Sequence, residues 1–295
     1  MLASTHVLLE AILDYAGTFP PARLPLADAF SNYARDRHSA GRWLLGRLVL
    51  PAASLPEFER LALSLPPVRP KASWDLSVIL GADPAGQLDK VLSFNQQTTT
   101  GARVASVEFS PLRLAEIREL KGRIPDTIET FFETPFDGDV ERRLDAIAAI
   151  GGMAKVRTGG VTAGGFPNTE SLVRFLGGCA DAGIAFKATA GLHHAVRGCY
   201  ALSDEPGSEA ATMHGFLNVC VAAALVRTGA GASEIADALL ESSADAFQFG
   251  AGSVGWRDRT MTNDDLAATR RHFCRSFGSC AFREPVDALA KLRLL

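Results

Sequence analysis

Short apolar runs ending in glycine or in polar loops alternate along this chain with segments whose apolar positions recur every three or four residues. The first kind reads as buried strand and the second as amphipathic helix. Strands are expected at residues 11–17, 43–50, 76–81, 104–109, 127–133, 154–158 and 185–190. Helices are expected between them at 26–37, 55–65, 85–96, 112–121, 140–150 and 169–182. Steady alternation of this kind argues for a parallel sheet with helical crossovers. The strands recur at roughly the spacing of a βα unit, about 30 residues. Seven consecutive units without a linker point to a closed α/β barrel, a (β/α)8 TIM barrel, rather than an open sheet.

The eighth unit is irregular. A polar loop at 202–209 leads into an apolar segment, 216–226, which reads as a buried helix although it contains Asn218. A second helix is expected at 233–242. Strand character returns at Ala246-Phe247-Gln248-Phe249-Gly250, the candidate eighth strand, followed by a hairpin over 254–262. Extra C-terminal helices are expected at 263–277 and 284–295. Ser276-Phe277-Gly278-Ser279-Cys280 lacks a nucleophile elbow and reads as a helix cap and packing turn. The expected organisation is one barrel domain over 1–295.

Composition narrows the function. The chain has 295 residues, 47% hydrophobic and 21% charged, with a net charge of −3. One large barrel takes about 250 residues. No basic block stands out, so a nucleic-acid partner is not expected. No segment is apolar enough for long enough to cross a bilayer, so no membrane partner is expected either. The N-terminus lacks the basic and apolar pattern of a signal peptide. Five cysteines without a CxxC pair fit a cytoplasmic location and no zinc cage. A small-molecule substrate is the expected partner; a homo-oligomer is left open.

Candidate chemistry lies on the later strands. Lys155 sits in Met153-Ala154-Lys155-Val156-Arg157-Thr158-Gly159, and Lys187 in Ala185-Phe186-Lys187-Ala188-Thr189-Ala190-Gly191. A lysine in an apolar strand is costly to bury as a cation, so it is paired or its pKa falls. Two on neighbouring strands are expected to depress each other, and a neutral lysine amine attacks carbonyls. Period-two alternation sets Lys155 with Arg157, Lys187 with Thr189, and Glu129 with Phe131 and Glu133 on common faces. Glu108 lies near the end of the fourth strand. Glu108, Glu133, Lys155 and Lys187 are therefore expected to converge inside the barrel. Structural ion pairs are the bland alternative, although apolar layers hold barrels together better. Asp14 and Arg47 are read as rim contacts, Arg157 as a fork for a carboxylate or phosphate, and His193-His194 as groups for proton transfer or hydrogen bonding to substrate.

The order Phe132-Glu133-Thr134, then Ala154-Lys155-Val156-Arg157-Thr158-Gly159, then Phe186-Lys187-Ala188-Thr189-Ala190-Gly191 resembles deoxyribose-phosphate aldolase and its class I aldolase relatives. The resemblance covers residues 127–195. It implies a lyase that works without metal or organic cofactor. Lys155 would form the Schiff base and Lys187 would lower its pKa. Glu133 and Glu108 would move protons. Arg157, Thr158, Gly159, Thr189, Gly191, His193, His194 and Arg47 would line the substrate site. The sequence departs from the family pattern at Arg157, where a serine is usual, and at Ala190, where the usual glycine pair is incomplete. Two other readings stay open: a metal-dependent barrel isomerase or hydrolase using Glu108, Glu133 and His193 or His194, and a barrel that binds an anionic metabolite without turning it over.

Overall fold

β-branched and aromatic residues concentrate where the chain turns inward, and in the computed structural model these segments form a closed parallel barrel. The structure describes residues 2–64, 74–203 and 207–295. Position 65 of the expected helix 55–65 and positions 204–206 of the expected polar loop lie outside the described residues.

The first seven barrel strands are β1 (Leu13–Tyr15), β2 (Leu45–Pro51), β3 (Trp74–Leu80), β4 (Ala102–Phe109), β5 (Glu129–Glu133), β6 (Met153–Arg157) and β7 (Phe186–Thr189). They match the expected strands to within a few residues. After β7 come an antiparallel pair, β8 (Gly198–Ala201) and β9 (Ala210–Met213), then a three-stranded antiparallel sheet of β10 (Phe247–Phe249), β11 (Ser253–Trp256) and β12 (Arg259–Thr262). The eighth barrel strand is β13 (Cys274–Ser279), which pairs in parallel with both β1 and β7. The fold is a (β/α)8 barrel.

The closing strand is not the one expected. Phe247–Phe249 belongs to the small antiparallel sheet, and the helix expected over 263–277 stops at His272. Leu266, Phe273 and Phe277 keep a helical spacing across the boundary, which hides the change of period. Ser276 and Gly278 then give β13 a small, polar inner face instead of an apolar one. Phe277 points outward and stacks on Phe216 with ring centroids 5.5 Å apart.

The outer faces of the strands carry the apolar core. Leu48, Leu76, Val107, Phe132, Val156 and Phe186 are buried there under the surrounding helices. Phe109 and Phe132 stack with centroids 4.7 Å apart. The helix Phe216–Arg227 is apolar nearly all round and buried almost throughout. Its Asn218 is satisfied: the amide donates to the carbonyls of Ala238 (2.8 Å) and Glu241 (2.7 Å), and its oxygen accepts from the Arg197 N–H (2.8 Å). The side chain thus ties this helix to the end of the next one and to the loop leading into β8. Among the described residues no helix is long and apolar enough to cross a membrane.

Asn218→Leu removes the three hydrogen bonds of a buried side chain and leaves their backbone partners unsatisfied. We expect a loss of roughly 2–4 kcal/mol, measured by urea unfolding. A change below about 0.5 kcal/mol, the usual range for a surface substitution, would show that the residue carries no such tie.

Candidate active site

Side chains on the inner faces of the strands follow the two-residue period. In most barrels of this class the inner positions are filled by layers of branched apolar residues. Here β1, β4, β5, β6 and β7 contribute Asp14, Glu108, Glu133, Lys155 and Lys187. Strand register sets them side by side: Glu133 lies opposite Lys155, and Lys155 opposite Lys187. Asp14, Glu108 and Lys155 are each 2% exposed, and Lys187 is fully buried.

The charges alternate in a continuous chain. Lys187 Nζ donates to Asp14 Oδ2 at 2.6 Å and to Glu108 Oε1 at 2.7 Å. Glu108 turns its other oxygen to Lys155 Nζ at 3.3 Å, and Lys155 Nζ lies 3.0 Å from Glu133 Oε2. Glu133 Oε1 then faces Arg157 Nε at 3.5 Å. Neutral groups complete the coordination. Ser77 donates to Glu108, Ser106 to Ser77, and Ser276 to Asp14, each at 2.7 Å. The backbone N–H of Arg47 donates to Asp14 at 2.9 Å. The Phe131 ring lies 5.3 Å from Lys187 Nζ, at cation–π distance.

Burial alone would lower the pKa of Lys187, but Asp14 and Glu108 outweigh it and raise the value. Burial would raise that of Glu108, but Lys187 and then Lys155 outweigh it and bring it to about 2. Asp14 is likewise lowered: burial opposes, while Lys187 and Arg47 prevail. Lys187 is therefore a held ammonium. The expectation that the two lysines depress each other is corrected at Lys187, because Glu108 stands between them and neutralises the repulsion.

The four expected catalytic residues, Lys155, Lys187, Glu108 and Glu133, do converge. Arg157 stands at the C-terminal end of β6 with its side chain half exposed, on the face where barrel enzymes hold their substrates. Thr189 ends β7 on the inner face. Thr158 is buried, and its hydroxyl donates to the Ala190 carbonyl at 2.5 Å, stitching the ends of β6 and β7 together. A Cβ on Gly159 would meet Gly191 Cα at 2.5 Å, and Gly191 has a φ of +75°, so this crossing of two loops needs glycine on both sides. Thr158, Gly159 and Gly191 thus shape the mouth through their backbone.

Three expected substrate contacts lie elsewhere. Arg47 is near the start of β2, at the opposite end of the barrel, where its guanidinium meets Glu129 at 2.6 Å. β2 begins at Leu45, two residues later than expected, so Arg47 falls near its N-terminal end and not near the mouth. His193 Nδ1 pairs with Glu284 at 2.7 Å, and the His194 ring stacks on Tyr200. These interactions point both histidines toward the last helix and the β8–β9 hairpin. Burial and the neighbouring His193 lower the pKa of His194. His214 is a packing residue whose Nε2 meets the Pro167 carbonyl at 2.9 Å.

Asp14, Ser77 and Ser276 belong to the polar interior and were not expected as part of it. The signal at Asp14 was the same as that at the lysines, a lone charge in an apolar run, Ile12-Leu13-Asp14-Tyr15. Among the described residues no group of three or more histidine, cysteine, aspartate or glutamate side chains could hold a metal ion. All five cysteines are free.

No protein-family model matches this chain, and neither a curated protein nor a solved structure is significantly similar to it. The fold and site together define a (β/α)8 barrel with a polar interior of alternating lysines and carboxylates.

Glu108 serves two buried ammonium groups, so Glu108→Gln should cost roughly 3–5 kcal/mol in denaturant unfolding, the range for breaking a buried ion pair. The pH dependence has a defined sign. A carboxylate whose folded pKa is depressed stabilises fully above its unfolded value and loses that effect as pH falls toward the folded one. The wild type should therefore lose stability between the ordinary glutamate range and about pH 2, and Glu108→Gln should show a shallower acid limb. Equal acid limbs would show that Glu108 is not held ionised by the lysines.

Proposed function

We propose that this barrel is a class I aldolase-type carbon–carbon lyase in which Lys155 forms a Schiff base with a small carbonyl substrate. The observation that carries the reading is the position of Lys155. It is buried in the barrel, yet it borders Glu133, which is partly exposed at the C-terminal end of β5, with Arg157 beyond. A nucleophilic amine needs an adjacent proton acceptor, and Glu133 is within ion-pair distance.

Lys155 passes a proton to Glu133, and the neutral amine attacks the carbonyl carbon. The carbinolamine loses water, with Glu133 returning the proton to the departing oxygen, and an iminium remains. The iminium draws electrons from the adjacent carbon–carbon bond as Glu133, again a carboxylate, takes the proton of the β-hydroxyl, which it later returns to the enamine carbon. An enamine and a carbonyl fragment result. The enamine is then protonated and the imine hydrolysed, which regenerates Lys155. Glu133 suits the proton-transfer role better than Glu108, which two ammonium groups hold as a weak base. Lys187 stays cationic and compensates Asp14 and Glu108, limiting the negative charge that would keep Lys155 protonated. Arg157 offers a guanidinium fork for an acidic or phosphorylated substrate group.

Among the described residues a metal-dependent isomerase or hydrolase has no matching ligand set. Both glutamates are occupied by lysine ammonium groups, and both histidines are engaged away from them.

Borohydride reduction in the presence of small aldehydes and ketones should trap an adduct, and mass spectrometry should place it on Lys155. Lys155→Ala and Lys155→Arg should abolish trapping. Glu133→Gln should slow it by roughly 10²–10⁴-fold, the contribution of a positioned acid–base group. Lys187→Met should weaken trapping at neutral pH and move its optimum upward, because two carboxylates then lack a counter-charge. Label confined to exposed lysines, equal in wild type and Lys155→Ala, would overturn the mechanism and favour a barrel that only binds an anion.

A further inference from the structure

A cavity of about 990 Å³ lies at the other end of the barrel, at the N-terminal ends of the strands. This is at the upper end of small-molecule sites. Its wall is unusually cationic. Arg37, Arg42, Arg47, Arg270, Arg271 and Arg275 line it, against four carboxylates. Glu129 offsets only Arg47 and Arg275, and the other carboxylates are drawn to groups outside the wall or exposed. Asp14 is taken by Lys187 at 2.6 Å. Asp75 pairs with Arg103, outside the lining, at 3.3 Å. Glu129 is shared between Arg47 and Arg275. Glu10 is exposed and lies 3.8 Å from His6.

The guanidiniums are also incompletely bonded. Arg37 Nη1 and Arg270 Nε are buried donors without a hydrogen-bond partner among the described residues. Arg270 donates to the backbone carbonyls of Glu10, Cys274 and Arg275, and among the described residues no carboxylate pairs with it. Arg37 stacks on Trp74, 4.6 Å from the ring centroid, which fixes the plane of its fork. A buried guanidinium donor left unmade is costly unless something accepts from it.

We propose that this cavity is a binding site for a phosphorylated small molecule carrying at least two negative charges. A phosphoryl group supplies several acceptor oxygens, which suits forks arriving from three elements: the helix Leu26–Asp36 and its C-terminal turn, the β2 entry, and the helix Asn263–His272 with the start of β13. The site is separate from the lysine chain at the mouth, and the proposal does not depend on the lyase reading. Asp14 borders both, so an occupant here adds negative potential beside Lys187.

The test is isothermal titration of the full chain with inorganic pyrophosphate at low ionic strength, with inorganic phosphate and malonate as comparison probes. Pyrophosphate should bind saturably with one site per chain, and more tightly than malonate. Arg42→Gln and Arg271→Gln change exposed rim positions and leave the buried core intact. Each should weaken binding by about tenfold or more, the loss expected for one charged hydrogen-bonding group. Arg37→Gln should weaken it further. Arg142→Gln, on a helix that does not line the cavity, should bind as the wild type does. Absence of saturable binding, equal affinity in the rim variants and the wild type, or equal loss in Arg142→Gln would overturn the proposal. Malonate binding as tightly as pyrophosphate would overturn its phosphoryl preference.

Discussion

The carboxylate of Glu108, shared between two buried ammonium groups, is the interaction on which the interior depends. Neither lysine could be buried as a cation alone, since desolvating an unpaired charge costs several kcal/mol. Glu108 gives one oxygen to Lys187 and the other to Lys155, and Ser77 supports it from β3. Asp14 and Glu133 then cap the two ends of the row. The arrangement also constrains the barrel. It holds only if β5, β6 and β7 keep the register that sets Glu133, Lys155 and Lys187 abreast. A slip of one residue would turn each charge into the apolar outer layer.

The same chain separates the two lysines in role. Lys187 is locked by two carboxylates and sits over the Phe131 ring. Lys155 is bound through longer contacts and faces the partly exposed Glu133. On the proposed reading this asymmetry divides the labour: one ammonium sets the local charge, and the other amine exchanges its proton. The base of the barrel has a different character, with guanidiniums in excess of the carboxylates available to them.

Much of this was legible in the sequence because strands bury one face in an apolar layer. A charge in such a run, as at Lys155, Lys187 or Glu108, has to point inward, so the converging set could be read from alternation alone. Seven strands were legible for the same reason. The eighth was not, because Ser276 and Gly278 form a polar inner face and Phe273 and Phe277 prolong a helical spacing. The site failed to be legible where position along a strand mattered more than face. Arg47 lies on an inward face, but at the base. His193 and His194 follow a mouth strand, yet His193 is drawn to Glu284, far along the chain, and His194 to Tyr200 on β8. The mutual depression expected of the lysines failed because it counted cations and not the carboxylate between them.

The most direct test is a crystal structure of the protein after reduction with borohydride in the presence of a small aldehyde that it binds. The account predicts continuous density from Lys155 Nζ into the reduced ligand at the C-terminal mouth, with Lys187 still bridging Asp14 and Glu108. Density on Lys187 instead, or an unmodified Lys155 beside a bound carbonyl compound, would contradict it.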